Sequence, residues 1–191
     1  NYFFCRDFMK VGIIGCGAIA NIIASSIVPE DNNIDIEYFY DNDVERAENL
    51  ASFANGVAVL DLEDMLDKVD LVLECASPDS VKEHAPNVLS HGVDMIIMSI
   101  GAFMDKEFYN KVNDICKKKG TRIHLPSGAV VGLDGIKAVA DFNLEEVNLV
   151  TRKSPKSLGK DIDKEEVLFE GKASDCLLYT SPSPRDMRRS R

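Results

Sequence analysis

The sequence predicts an α/β fold, a doubly wound parallel sheet, followed by the start of a second α+β domain. Three observations predict it. A short apolar strand at 11–14 breaks into Gly-x-Gly-x-x-Ala and runs on as a helix. Apolar strand-like runs then alternate with helix-like segments up to about residue 125, an order that builds a parallel sheet covered on both faces. Beyond about Asn143 the runs change to polar–apolar alternation, as in strands with one wet face.

Taken in order, the first strand is Lys10 to Ile14 and the first helix Asn21 to Val28. In the turn between them, Gly15 permits the sharp change of direction and Gly17 lets backbone approach a diphosphate. Ala20, in the third glycine's place, keeps the helix close to the sheet. The amides of Ala18, Ile19 and Ala20 then present the positive end of the helix dipole. A second strand, Ile34 to Tyr40, ends in Asp41, about 25 residues after the first glycine, where an acid that binds ribose hydroxyls is expected. Asp41 would accept hydrogen bonds from the 2′-hydroxyl and repel a 2′-phosphate, and Asp43 adds to that repulsion. The expected ligand is therefore NAD in preference to NADP, although some such sites accept both. This first domain is read as Rossmann-like.

A helix follows over Val44 to Ala54, stopped by Asn55-Gly56, then a buried strand over Val57 to Leu60. Asp61 and Asp64 suggest a capping pair for a short helix through Lys68. Leu71 to Ala76 is the next strand. Ser77 and Pro78 open a helix that ends near Ser90-His91-Gly92. Met95 to Ser99 is strand, Lys106 to Lys119 helix, and Arg122 to Leu125 strand. Lys117-Lys118-Lys119-Gly120 reads as a helix end, with cations at the negative pole and a glycine stop, rather than as a phosphate patch. The alternating segments at 146–153 and 167–171 are expected strands of the second domain.

In such a sheet ligands lie beyond the carboxyl ends of the strands. Small residues there make Ala76, Ser77, Ser99, Gly101 and Ala129 further candidates for cofactor contact. Among the histidines, His124 lies in a strand and is expected to be packed or hydrogen-bonded, while His84 and His91 are expected at the surface. None has metal-ligand spacing with the cysteines, so no metal site is expected. Cys16 and Cys75 have no histidine placed to activate them, which argues against a thiol nucleophile.

The net charge of −10 argues against a nucleic-acid-binding surface. No apolar run approaches the roughly 18 residues of a membrane span. Five scattered cysteines without a CxxC pair suit free thiols in a reducing cytoplasm. Residues 1–8 precede Met9 and read as a non-native leader. Residues 175–191, with Ser181-Pro182-Ser183-Pro184 and an Arg-rich finish, read as an artefactual disordered tail. The expected division is 9–142 for dinucleotide binding and 143–174 for the start of a truncated substrate domain.

Several motifs together resemble the L-aspartate dehydrogenases of the NAD-biosynthesis type. They are V-G-I-I-G-C-G-A-I-A (11–20), V-L-E-C-A-S (72–77) and G-V-D-M-I-I-M-S-I-G-A-F (92–103), followed by S-G-A-V-V-G-L-D (127–134), V-T-R-K-S-P (150–155) and F-E-G-K-A-S (169–174). The resemblance implies oxidation of L-aspartate at Cα by hydride transfer to nicotinamide. Its product is iminoaspartate, which is hydrolysed to oxaloacetate and ammonia or passed on toward quinolinate. It also implies that Ala129 lies at the cofactor and that the complete protein is a cytoplasmic homo-oligomer. The family's catalytic histidine lies after F-E-G-x-A-S, so none of this chain's three histidines inherits that role, and the polypeptide is expected to be an inactive fragment. A dicarboxylate substrate needs cations, and Arg152 and Lys153 are the candidates. Two rival readings are a reductase of the homoserine dehydrogenase type and a non-catalytic NAD-binding module. The acidic charge speaks against the DNA-reading domain that such modules usually carry.

Overall fold

The computed structural model describes residues 8–27, 33–127, 133–140, 142, 144–152, 167 and 169–172. The chain divides into two compact units, Asn1–Val131 and Gly132–Arg191. In the first, six parallel strands run β1 (Met9–Ile14), β2 (Ile34–Tyr40), β3 (Val57–Ala58), β4 (Leu71–Glu74), β5 (Asp94–Ile97) and β6 (Ile123–His124), in the order β3-β2-β1-β4-β5-β6. The order reverses between β1 and β4, which opens a crevice at their carboxyl ends.

Alternate residues of each strand feed two cores. Ile13, Ile36, Phe39 and Leu73 pack with Ala20 of α1 (Ala18–Ser26) and with Ala47, Leu50 and Ala51 of α2 (Val44–Ala54). Ile14, Val72, Met95 and Ile97 pack on the opposite face. Their partners are Met65 of α3 (Glu63–Leu66), Val81, Ala85 and Val88 of α4 (Pro78–Ser90), and Phe108 and Val112 of α5 (Lys106–Lys119). Burial on both faces explains the near-continuous apolarity of β1 and β4. The predicted helix and strand order up to β6 is therefore reproduced, with shifts at the ends, except that the strand expected to be buried over Val57 to Leu60 is only Val57–Ala58, at the edge of the sheet, with Val57 and Leu60 exposed.

Several local expectations hold for the expected reasons. Asn55 adopts a left-handed conformation at φ 57° and ends α2. Ser77 accepts a hydrogen bond from the Ser80 amide at 3.2 Å, with Pro78 in the first turn. Gly120, at φ 75°, closes α5 behind its three lysines. Asp105 caps the other end of α5, accepting from the Glu107 and Phe108 amides, each at 3.1 Å.

Others are corrected. The residue before α3 is Leu62, and no side chain caps the helix; Asp61 accepts the Asp64 amide through its backbone carbonyl instead. The helix is too short for the expected reciprocal pair. His84 is buried, not at the surface, because it lies on the face of α4 that meets the sheet. His124 is exposed rather than packed, since β6 is a two-residue strand at the edge of the sheet. His91 is at the surface as expected.

In the second unit the described residues hold one helix, α6 (Leu133–Val139). The expected strand at 146–153 is absent over 144–152, and 167 and 169–172 are likewise outside any strand. Alternation creates a strand only where a partner completes its ladder of backbone hydrogen bonds, and none of the described residues supplies one here. The expectations for 1–7 and for 173–191 fall outside the described residues.

Candidate functional site: a dinucleotide crevice

Five of the candidate residues meet in one turn. Gly15 stands at φ +91°, and a Cβ there would lie 2.6 Å from the Cβ of Ala76 and 2.7 Å from its Cα and N. Only glycine fits, so the turn after β1 is pressed directly against the loop after β4. At Gly17 the situation is opposite: a Cβ would meet nothing within 4 Å. The protein itself therefore leaves the space above Gly17 open, as a diphosphate held by backbone requires. Ala20 is fully buried beneath it while Ala18 and Ile19 are exposed at the mouth. Gly17 precedes the nine-residue helix α1 with no side-chain cap and no acidic residue in the first turn, so the amides there remain free for an anion.

Asp41 lies immediately after β2. One carboxylate oxygen accepts the Cys16 amide at 2.8 Å, and the other accepts the Asp43 amide at 2.9 Å. These bonds orient the carboxylate beside the turn, and each oxygen retains a lone pair for a ribose hydroxyl. The Gly15 amide also bonds to the Tyr40 carbonyl at 2.8 Å. The ends of β1 and β2 are thereby tied together by backbone and side chain.

The loops after β4 and β5 form the other half of the crevice. Ser77 is half-buried, Ala76 and Gly101 are exposed, and a Cβ at Gly101 would lie 3.6 Å from the Pro78 ring. Ser99 is half-buried at the start of a 3-10 turn, Ile100–Met104, but its hydroxyl does not cap that turn. It donates to the carboxylate of Glu74 at 2.9 Å. Glu74 is the site residue that sequence reasoning missed. It is 1 % exposed at the end of β4 and also accepts the Ala76 amide at 2.7 Å and the Ser99 amide at 3.0 Å. The only available signal was an acid closing the apolar run Leu71-Val72-Leu73.

Burial raises the Glu74 pKa above the usual glutamate value, opposed by the hydrogen bonds from Ser99, Ala76 and Ser77. Burial likewise pushes the thiols of Cys16 and Cys75 up to about 12, with the nearby Asp41 and Glu74 charges adding respectively to each. Both thiols stay protonated near neutral pH. Ala129 and Lys153 lie outside the described residues. Arg152 is exposed and belongs to the second unit. Among the described residues, no group of three His, Cys, Asp or Glu is placed to hold a metal ion. No helix there is long and apolar enough to cross a membrane.

The crevice and the six-strand order define a nucleotide-binding domain of the dehydrogenase type, and comparison with known proteins makes this specific. The family described as "Homoserine dehydrogenase, NAD binding domain" matches residues 15–126. The chain is 48% identical over 169 residues to the L-aspartate dehydrogenase of Methanothermobacter thermautotrophicus, covering 88% of this chain and 66% of that protein. To the L-aspartate dehydrogenase of Methanococcus maripaludis strain S2 it is 33% identical over 181 residues, covering 88% and 68%. The crystal structure of aspartate dehydrogenase from Thermotoga maritima superposes with a TM-score of 0.63 at 32% identity, over 88% of this chain and 66% of that one. A dehydrogenase from Bordetella pertussis in complex with NADH and UDP-GlcNAcA shares the fold at 16% identity and TM-score 0.60, over 71% and 42%.

The chain belongs to the L-aspartate dehydrogenase family and carries an NAD-binding domain of the matched type. It spans about two thirds of the length of these relatives.

Proposed function

We propose that the protein oxidises L-aspartate to iminoaspartate with NAD as oxidant. The observation that carries this reading is the Asp41 carboxylate fastened to the phosphate turn at Cys16, inside a chain whose relatives are named L-aspartate dehydrogenases. In this reading Gly15, Gly17, Ala18, Ile19 and Ala20 hold the diphosphate, and Asp41 holds the adenosine ribose. Ala76, Ser77, Ser99 and Gly101 line the path of the second nucleoside, with Ala129 beside it. NAD, when bound, supplies the two-electron acceptor for the hydride leaving Cα. The chain's part is to orient that acceptor and to exclude a 2′-phosphate through Asp41 and Asp43. The division into 9–142 for the cofactor and 143–174 toward the substrate belongs to the same proposal. So do substrate contact by Arg152 and Lys153, a homo-oligomeric cytoplasmic protein, and a place in NAD biosynthesis.

Loss of hydride from Cα needs a neutral amine, hence an acid–base group tuned near working pH. Among the described residues no histidine serves: His84 is buried against the sheet, His91 bonds to the Asn87 carbonyl, and His124 is exposed on β6. We therefore expect the 191-residue polypeptide to bind NAD with little or no turnover of its own. Calorimetric titration with NAD, beside an assay of NADH formation from L-aspartate and from L-homoserine by the protein with its family's full-length second domain, tests the reading. Aspartate-dependent NADH formation supports it. Homoserine as the better substrate sinks it, and so does the absence of any heat with NAD or NADH.

The NADP expectation has its own test. Asp41→Asn removes one charge facing a 2′-phosphate and keeps an oxygen for the Cys16 amide, while its NH2 faces the Asp43 amide, a cost that falls on both cofactors alike. It should narrow the preference for NADH over NADPH by about tenfold in Kd, the effect of roughly 1.4 kcal/mol of relieved repulsion.

A further inference from the structure

We propose that Glu74 is a positioning residue for the nicotinamide half of the cofactor, acting by holding Ser99 and the β5 loop against the end of β4. This rests on the NAD reading above. Glu74 ends β4, in the middle of the sheet, and its carboxylate has no lysine, arginine or histidine at ion-pair distance among the described residues. A buried carboxylate without a cation is costly and persists only where donors converge on it. Here they do. One oxygen accepts both the Ala76 amide at 2.7 Å and the Ser99 hydroxyl at 2.9 Å, and the other accepts the Ser99 amide at 3.0 Å.

The β4–β5 ladder itself continues as far as the Met98 amide on the Glu74 carbonyl, 3.1 Å. At Ser99 the chain leaves the sheet for the 3-10 turn, and the Glu74 side chain takes over from the ladder. It thus sets where the β5 loop departs, on the far side of β1 from Asp41. In a sheet of this order one nucleoside lies over the β1–β2 side and the other over the β4–β5 side. Asp41 marks the first, so the loop that Glu74 holds belongs to the second. Ser99 is consequently not a free hydroxyl. Its proton is committed to Glu74, and only its acceptor lone pairs remain for a ligand.

The geometry makes glutamine an unequal substitute. In Glu74→Gln the amide oxygen serves best where two donors converge, which leaves the NH2 facing the Ser99 amide, donor against donor. The disturbance falls on the β5 loop and spares Ala76 and the phosphate turn. The test is calorimetry on the folded E74Q chain with NADH and with ADP-ribose, which lacks the nicotinamide. NADH affinity should fall about tenfold, the effect of one mismatched buried hydrogen bond, while ADP-ribose affinity stays within about twofold. A purely structural role would move both ligands together with the melting temperature. Should E74Q not fold, Glu74→Asp keeps the charge but shortens the reach to Ser99, and is expected to give the same split. Equal losses for the two ligands, unchanged NADH binding, or failure of both variants to fold overturns the proposal. Wild-type protein that binds neither ligand overturns the NAD reading itself, and this inference with it.

Discussion

Two glycines only two positions apart in sequence, Gly15 and Gly17, illustrate how single residues divide folding from binding. Gly15 is required by the protein, through its φ of +91° and its contact with Ala76; Gly17 is required by nothing in the protein. Gly15→Ala should therefore cost about 2 kcal/mol or more, from the left-handed backbone and the overlap with Ala76, and show as a lower melting temperature. Gly17→Ala should cost no more than about 1 kcal/mol, the loss of a favourable residue at the start of α1, while weakening NAD binding far more, since a Cβ there meets nothing in the protein. His84 offers a pH test. Its ring stands edge-on to Tyr40 with centroids 5.3 Å apart, and burial lowers its pKa below 6.5, opposed by Glu83 and Glu63. The unfolded chain takes up a proton as pH falls through 6.5, whereas the folded chain does so only at lower pH. Stability from this group is therefore complete above 6.5 and is lost as pH falls toward the folded value. His84→Phe keeps the edge contact and should lose less stability than wild type between about pH 8 and pH 5.5, measured by urea melts at each pH.

At the level of elements, the short helix α3 is held by the buried side chains of Met65 and Leu66, and Met65 lies over a glycine of β1. Met65 is fully buried, and a Cβ at Gly12 of β1 would come within 2.8 Å of its sulfur and 3.1 Å of its methyl. Four residues cannot sustain a helix alone, so this contact, the buried Leu66 and the hydrogen bond from Asn87 to Glu63 together hold α3 in place. Met65→Ala should destabilise by about 2–5 kcal/mol through the cavity it leaves. Gly12→Ala in that background should be milder than in the wild type, because the added methyl enters vacated space; a coupling of roughly 0.5–3 kcal/mol in a double-mutant cycle is expected. Strict additivity would show that Met65 and Gly12 are not energetically coupled. The same logic explains why 144–152 form no strand despite their alternation: an element is realised only when its partner is present.

For the whole molecule, the described crevice residues lie in the first unit, Asn1–Val131, and are cross-tied by Asp41 on one side and Glu74 on the other. A ligand that binds only the folded form stabilises it by mass action. NAD at 100 times its Kd should add about 2.7 kcal/mol. For a unit of this size that raises the melting temperature by roughly 10 °C. A concentration series in calorimetry reads this directly, and no shift at saturating NAD contradicts the site.

The sequence by itself determined the strand and helix order of the first unit, the glycine turn and the acid at 41, because these are local. Periodicity, glycine placement and a residue at a strand end act within a few positions of one another. It also carried the family through motifs spread from 11 to 174. Only the tertiary structure decided which side chains are buried and what they hold. His84 and His124 exchanged their expected environments because burial depends on which face of a helix meets the sheet and whether a strand lies at its edge. Glu74 looked like one charge in an apolar run until folding brought Ser99, 25 residues away, onto its carboxylate. Long-range donors decide whether a buried charge is a defect or a fastening, and no local pattern encodes them.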